Sequence, residues 1–421
     1  MFKPKMFLFL LSLGALSFLA GCGLGSRAAR GWTFLVYLAA DNDLDPYAAL
    51  DLQEMMAVGS TPDLAIVVQY DPSPPGAATK RYRVTKGGLL ELGGLGETNT
   101  GDGATLEEFV AWGMRRFPAR RYALVLWNHG SGIFDGFPPN RGQGDGPPHR
   151  AQAVAIDRTS GNDALTTREY ARALGRATEM TGRRLEILCF DACYMQMVEV
   201  AAELAADDGR PLAGYLAGSE AAVPAEGLDY EAILSWLASH PEADGAALAA
   251  FTVESYGKTY AHSDATFSAL SLAGSGWTAL LEEIRRLAGV IVAADGDLKA
   301  ALKEAALSAR SFVDYRDPAS KDLADFVRLL EEKAAGRPEI VEMCQRIGAL
   351  LLPGNGLIIR RVSTGALADG RTGGLAVFLP TSSAWLADYP EYAGLRFAAL
   401  TGWDEAAAAI ASAGESAPPQ Q

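Results

Sequence analysis

Apolar residues in this chain follow two rhythms. Runs of six to eight residues with few interruptions occur at 32–39 (WTFLVYLA), 64–70 (LAIVVQY), 122–128 (YALVLWN), 185–190 (LEILCF) and 212–217 (LAGYLA). They are too short for typical helices and apolar on both faces, so each is predicted as a strand buried on two sides. Between them, residues 46–57, 105–117, 167–178 and 195–206 carry apolar positions at helical spacing, and Asp45 is placed to cap the first of these helices. Strand–helix alternation of this kind predicts an α/β fold: a mostly parallel central sheet flanked by helices on both faces.

The pattern changes after about residue 240. Helical periodicity covers 246–260, 277–294, 297–308, 322–335 and 338–351, with strands returning only at 265–272 and 374–379. We therefore expect one α/β domain over 31–240, a more helical portion over 241–410 packed on the same domain, and a disordered tail over 411–421. Residues 134–150 (FDGFPPNRGQGDGPPHR) are too rich in glycine and proline for regular structure. A loop of that length is usually functional or disordered. There is no internal repeat.

The N-terminus belongs to export rather than to the fold. Lys3 and Lys5 precede an apolar run over 6–20 that is too short for a comfortable membrane span. It closes on Leu19-Ala20-Gly21-Cys22, a lipoprotein cleavage box, so residues 1–21 read as a signal peptide, Cys22 as the lipidated residue and 22–30 as a tether. Gly23, where an aspartate would favour inner-membrane retention, leaves outer-membrane delivery open in a Gram-negative cell. Two or more acyl chains on one residue anchor a protein firmly. The formal charge of −14 argues against a nucleic-acid partner and fits an exported enzyme with basic substrates. Of the remaining cysteines, Cys189 and Cys193 are separated by about 13 Å if the chain between them is extended, too far for a disulfide. An exported chain with so few cysteines is not a disulfide scaffold, and at least one free thiol calls for a reason.

In an open parallel sheet, sites form beyond the carboxyl ends of the strands. His129, in Asn128-His129-Gly130-Ser131-Gly132, follows the third strand, and Cys193, in Asp191-Ala192-Cys193-Tyr194, follows the fourth. If those strands are neighbours, a thiol and an imidazole emerge on one edge, which is what nucleophilic catalysis with proton transfer needs. The backbone N–H of Gly130 and that of Cys193, near a predicted helix start, form a candidate oxyanion hole. The same helix N-terminus would favour the thiolate. The bland readings are a buried small hydrophobe for the cysteine and a loop residue for the histidine; their joint placement at successive strand ends favours chemistry. Cys189 and Cys344 read as core, His149 and His240 as solvated, and His262 as a reserve imidazole. The run Asp41-Asn42-Asp43-Leu44-Asp45 fails as a calcium loop, with Pro46 and Leu52 at the places that need Gly and Glu, and reads as a strand-to-helix turn. No zinc-type spacing and no phosphate-binding glycine loop occurs, so neither a metal nor a cofactor is expected.

The segments TFLVYLAADNDLD, YALVLWNHGSG, LEILCFDACYMQMVEVA and GSEAAVPAEGLDY resemble the blocks of clostripain peptidases, and the likeness extends through VDYRDPASKDLADFVRLL and GGLAVFLP, over about residues 31–400. The resemblance implies a caspase-like fold and a cysteine endopeptidase with Cys193 as nucleophile and His129 as acid–base partner. It also implies cleavage after Arg, or Arg and Lys, with Asp191 as the acid of the P1 pocket; the residue's own alternative is to cap the following helix. Glu220 is the nearest candidate for a second acid, and Ser219 and Glu220 alternatively offer backbone to an extended peptide. By the same resemblance Arg141, Arg150 and Arg158 are candidate self-processing sites, and calcium dependence stays open without a recognisable site. The substrates implied are proteins or peptides and the protein is expected to be a monomer. Two other readings compete: a catalytically silent surface lipoprotein that binds, and a related transpeptidase or ligase.

Overall fold

The computed structural model describes residues 30–73, 76–133, 154–205, 210–312, 319–387 and 389–414. The proposed lipidation residue Cys22, the tether, Arg141, Arg150 and the tail from 415 lie outside them. Among the described residues thirteen strands run in chain order: β1 (Arg30–Ala40), β2 (Leu64–Pro72), β3 (Thr79–Thr85), β4 (Gly88–Gly96), β5 (Ala119–Trp127), β6 (Val154–Asp157), β7 (Asp163–Leu165), β8 (Leu185–Asp191), β9 (Ala213–Gly218), β10 (Thr266–Ser271), β11 (Ser320–Asp322), β12 (Ile358–Ser363) and β13 (Ala376–Phe378). Nine form one sheet, ordered β12-β10-β9-β8-β5-β1-β2-β3-β4. The five central strands, β2, β1, β5, β8 and β9, are parallel, and antiparallel strands extend both edges.

Helices cover both faces because the central strands are apolar on both. One face carries Phe34, Val36, Val125, Ile187 and Cys189 beneath α1 (Asp45–Val58), and the other carries Leu35, Tyr37, Leu124 and Leu126 beneath α2 (Gly103–Arg116) and α3 (Thr167–Thr181). The second face continues across α4 (Val198–Leu204) into the late helices: Leu280, Phe326, Ile347 and Trp403 share its core. The first face is completed by α5 (Tyr230–Ser239) and α6 (Gly245–Thr259), through Leu234, Leu248 and Tyr256.

Several expectations shift. The edge hairpin β3–β4 and the strand β12 were not expected, because TKRYRVT, GLLELGGLG and IIRRVS carry charges or glycine where a buried strand carries Val or Ile. The strand expected over 374–379 is three residues long and pairs with β11 outside the main sheet. Asp45 is the first residue of α1 rather than its cap, and its carboxylate accepts from the Tyr70 hydroxyl at 2.5 Å. The helix expected from 195 begins at Val198. Cys193 therefore sits in a turn upstream of the helix, and the argument that a helix N-terminus lowers its pKa does not hold.

Candidate active site

Parallel pairing of β5 with β8 sets Trp127 beside Asp191, so both chains leave the sheet together. Asn128 ties the strand ends: its N–H donates to the Asp191 carbonyl at 3.2 Å, its side-chain amide donates to the Ala39 carbonyl, and its Oδ1 accepts from Ile156 N at 3.1 Å. His129 follows, partly exposed, with Nε2 at 3.2 Å from Asp43 Oδ1. Asp43 also accepts from Arg158 Nη2 at 2.6 Å. Partial burial works against the Asp43 charge, but the bond to His129 and the nearby Arg158 guanidinium help to outweigh it and lower its pKa. The Asp41–Asp45 turn thus holds the imidazole.

Gly130 packs on the nucleophile turn. A Cβ there would lie 2.3 Å from the Cys193 carbonyl oxygen and 2.9 Å from its nitrogen, so only glycine fits. His129 and Cys193 are thereby each within one residue of a direct backbone contact. The amides of Gly130 and Cys193 lie near enough to the Cys193 sulfur to favour its charged form. Its closest donor is Val223 N at 3.2 Å. Burial raises the thiol pKa against the Val223 amide, Asp191 adds to the rise, and the Cys193 and Gly130 amides oppose it. In this state the described partners of the imidazole and the thiol are Asp43 and Val223, respectively. Tyr194, next in sequence, has φ of 61°, a left-handed conformation that costs a non-glycine residue about 1–3 kcal/mol. The turn is held in place by Tyr194 N to Ala221 O at 3.0 Å and Gln196 N to Ser219 O at 3.0 Å.

Asp191 is buried beneath residues 227–230. Oδ2 accepts from Leu228 N at 3.2 Å and from the Tyr230 hydroxyl at 3.0 Å, and Gly227, with φ of 63°, lies against both carboxylate oxygens. Asp191 caps no helix, since α4 starts seven residues later with Met197 at its N-cap. Burial raises its pKa, opposed by those two donors. Ser219 is fully buried, its Oγ 3.1 Å from Thr266 Oγ1. Glu220 is also buried, turned toward Asp322 and the Gly374 backbone. Burial, the Asp322 charge and the shared hydrogen bond raise its pKa. Cys189, Cys193 and Cys344 are all free thiols.

One cluster had no signal in the sequence because its members come from four segments. Carboxylate oxygens of Asp41, Asp71, Glu97 and Asp157 lie within 4.8 Å of one another and could hold a metal ion. Thr79 donates to Asp71 at 2.6 Å and Thr159 to Asp41 at 2.6 Å. Burial raises Asp71 to about 7, opposed by the Thr79 bond and assisted by the charges of Asp157 and Glu97. Residues of the site that sequence reasoning missed are Asn128, Val223 and Tyr230; Asp43 lay in a run that was singled out, but for calcium.

A nine-stranded sheet with a thiol and an imidazole at adjoining parallel strand ends defines the caspase-like class of cysteine peptidase. A model of the clostripain family matches residues 36–409. Clostripain of Hathewaya histolytica is 25% identical over 229 residues, 48% of this chain and 41% of that protein, so the match spans less than half of the curated relative's length. A secreted C11 cysteine protease from Bacteroides thetaiotaomicron, solved with an irreversible peptide inhibitor, superposes with a TM-score of 0.65 at 20% identity, over 89% of this chain and 99% of the other. An inactive zymogen C11 protease from Parabacteroides distasonis superposes with a TM-score of 0.65 at 18% identity, over 89% and 98%. The chain belongs to the clostripain family of cysteine peptidases.

Proposed function

We propose that the protein is an exported cysteine endopeptidase that hydrolyses peptide bonds after basic residues, with Cys193 as nucleophile and His129 as acid–base partner. The observation that carries this reading is the close packing of Gly130 on the Cys193 backbone at the adjoining ends of β5 and β8, beside a buried carboxylate at Asp191. A carbonyl carbon attacked by the Cys193 sulfur would place its oxygen near the Gly130 and Cys193 amides. Asp43 holds Nε2 of His129, which leaves Nδ1 to take the thiol proton and then pass it to the leaving amine. The thioester is released by water, activated by the same imidazole. Segment 221–228 covers both the thiol, through Val223, and Asp191, through Gly227 and Leu228; a substrate that displaces Val223 uncovers both. Asp191 then pairs with the P1 cation.

Export is supported by the signal-type N-terminus, and the neighbour from B. thetaiotaomicron is itself a secreted protease. Lipid on Cys22 anchors the protein to the cell envelope. Self-processing after Arg141, Arg150 or Arg158 belongs to the same reading; the Arg158 side chain is bonded to Asp43, so cleavage there would disturb the imidazole's partner. A recombinant protein that remains one intact band at full activity would overturn processing. The central test is an arginyl chloromethylketone: we expect one adduct on Cys193, none on Cys193→Ala, and hydrolysis of Arg-amide peptides blocked by the label. Absence of both adduct and cleavage would overturn the peptidase and favour a binding lipoprotein.

A further inference from the structure

We propose that Asp51 is a second carboxylate of the P1 pocket and that, together with Asp191, it makes the pocket select arginine over lysine. This rests on the basic-P1 reading of Asp191 given above. Asp51 comes from the inner face of α1, far from the nucleophile in sequence, and is only 1% exposed. Its Oδ2 accepts from the indole Nε1 of Trp127 at 2.7 Å, and Trp127 stands directly beside Asp191 in the β5–β8 register. A second link runs through Tyr230: its hydroxyl donates to Asp191, and its backbone N–H donates to Glu54 Oε2 at 2.9 Å, one turn along α1 from Asp51. The two carboxylates therefore border one buried polar layer from different sides.

Among the described residues, the groups that act most strongly on Asp51, Glu54 and Asp191 are acids and neutral donors rather than a lysine or arginine. Buried carboxylates are normally paired with a positive charge or held protonated. Burial and the neighbouring Asp191 raise the Asp51 pKa, as expected for two acids with too little positive charge between them. An independent feature points to a ligand: the Tyr256 hydroxyl is buried without a hydrogen-bond partner and lies within electrostatic reach of both Asp191 and Cys193. A buried hydroxyl left without a partner near both groups offers an acceptor to the group that enters. Glu220, the second acid suggested by sequence, is instead occupied with Asp322.

A guanidinium has five donors in a planar fork and can satisfy two carboxylates and a hydroxyl at once. An ammonium is a compact charge that one carboxylate satisfies. The second acid should therefore matter far more to arginine than to lysine.

The test compares Asp51→Asn with the wild-type full chain on peptides that differ only in Arg or Lys at P1. We expect kcat/KM for the arginyl peptide to fall about 10- to 100-fold, mainly through KM, with a much smaller change for the lysyl peptide. Alkylation of Cys193 by uncharged iodoacetamide should be unchanged, which a general disturbance of the site would not allow. An unchanged Arg-to-Lys ratio overturns the role of Asp51. A wild type that cleaves after neither residue overturns the underlying P1 reading instead. If Asp51→Asn does not fold, calorimetry of the wild type with agmatine and with cadaverine, the decarboxylated arginine and lysine, decides. Agmatine should bind about 10-fold tighter, and equal affinities overturn the proposal.

Discussion

No side chain fits at Gly130. The space a methyl group would need is filled by the Cys193 carbonyl oxygen and nitrogen and the Ala192 methyl, none of which can rotate away. Gly130→Ala should lower kcat/KM by about 10²-fold, because the two amides that face the sulfur are displaced together. It should also cost about 1–3 kcal/mol of stability through overpacking. Peptidase assays and thermal melts check both. An alanine variant with native kinetics would show that the Gly130–Cys193 contact is not needed for catalysis. At this scale the sequence was informative where a residue's chemistry is rare. A cysteine and a histidine at consecutive strand ends stand out, whereas Val223 contributes only a backbone N–H and carries no signal. Asp51 is likewise one acid among many on an exposed-looking helix until the fold places Trp127 against it.

The elements that were legible are those whose pattern matches their burial. Strands β1, β2, β5, β8 and β9 are apolar on both faces and buried on both. The flanks of the sheet were illegible because strands there are only half covered and keep their polar residues, as β3 and the edge strand β12 do. The short helix α4 was placed too early because Met195 and Met197 are buried as a helix face would be, yet serve the nucleophile turn. Behind α4, Glu199 is fully buried, its Oε1 accepting from Phe378 N at 2.8 Å and from the Tyr392 hydroxyl at 2.9 Å, so β13 is fastened to the segment that carries Cys193. Burial raises its pKa to about 7, against those donors. The folded state therefore binds a proton more tightly than the unfolded chain. This contribution to stability is complete below the unfolded value near 4.5 and is lost as pH rises through about 7. Glu199→Gln keeps the acceptor without the charge. We expect it to leave stability nearly unchanged at pH 4.5 and to raise it by about 1–3 kcal/mol at pH 8, read from denaturant melts at the two pH values. Equal effects at both pH values would refute the linkage.

Across the whole molecule, the segment 134–153 divides the sheet as well as the chain. Strands before it form the β5-β1-β2-β3-β4 side, and those after it in the main sheet form the β12-β10-β9-β8 side. The halves meet along the β5–β8 ladder and share both hydrophobic cores, so a peptide bond lost in this segment leaves the described strand pairing in place. A protease nick confined to this segment should give two fragments on a denaturing gel and a single peak by gel filtration, separable only in denaturant. Fragments that part under native conditions would contradict this.

The cover over the Cys193 thiol has a consequence for the exported enzyme proposed above. Oxidants attack thiolates, and attack slows when the sulfur is buried and its pKa raised. With Val223 bonded to the half-exposed sulfur and its ionisation disfavoured, the resting thiol should be a poorer target for peroxide or oxygen than a free one. On the function proposed above, a peptide that lifts the 221–228 segment would release its reactivity. An enzyme built this way should keep its activity during long exposure to an oxidising medium and lose it faster when turning over substrate.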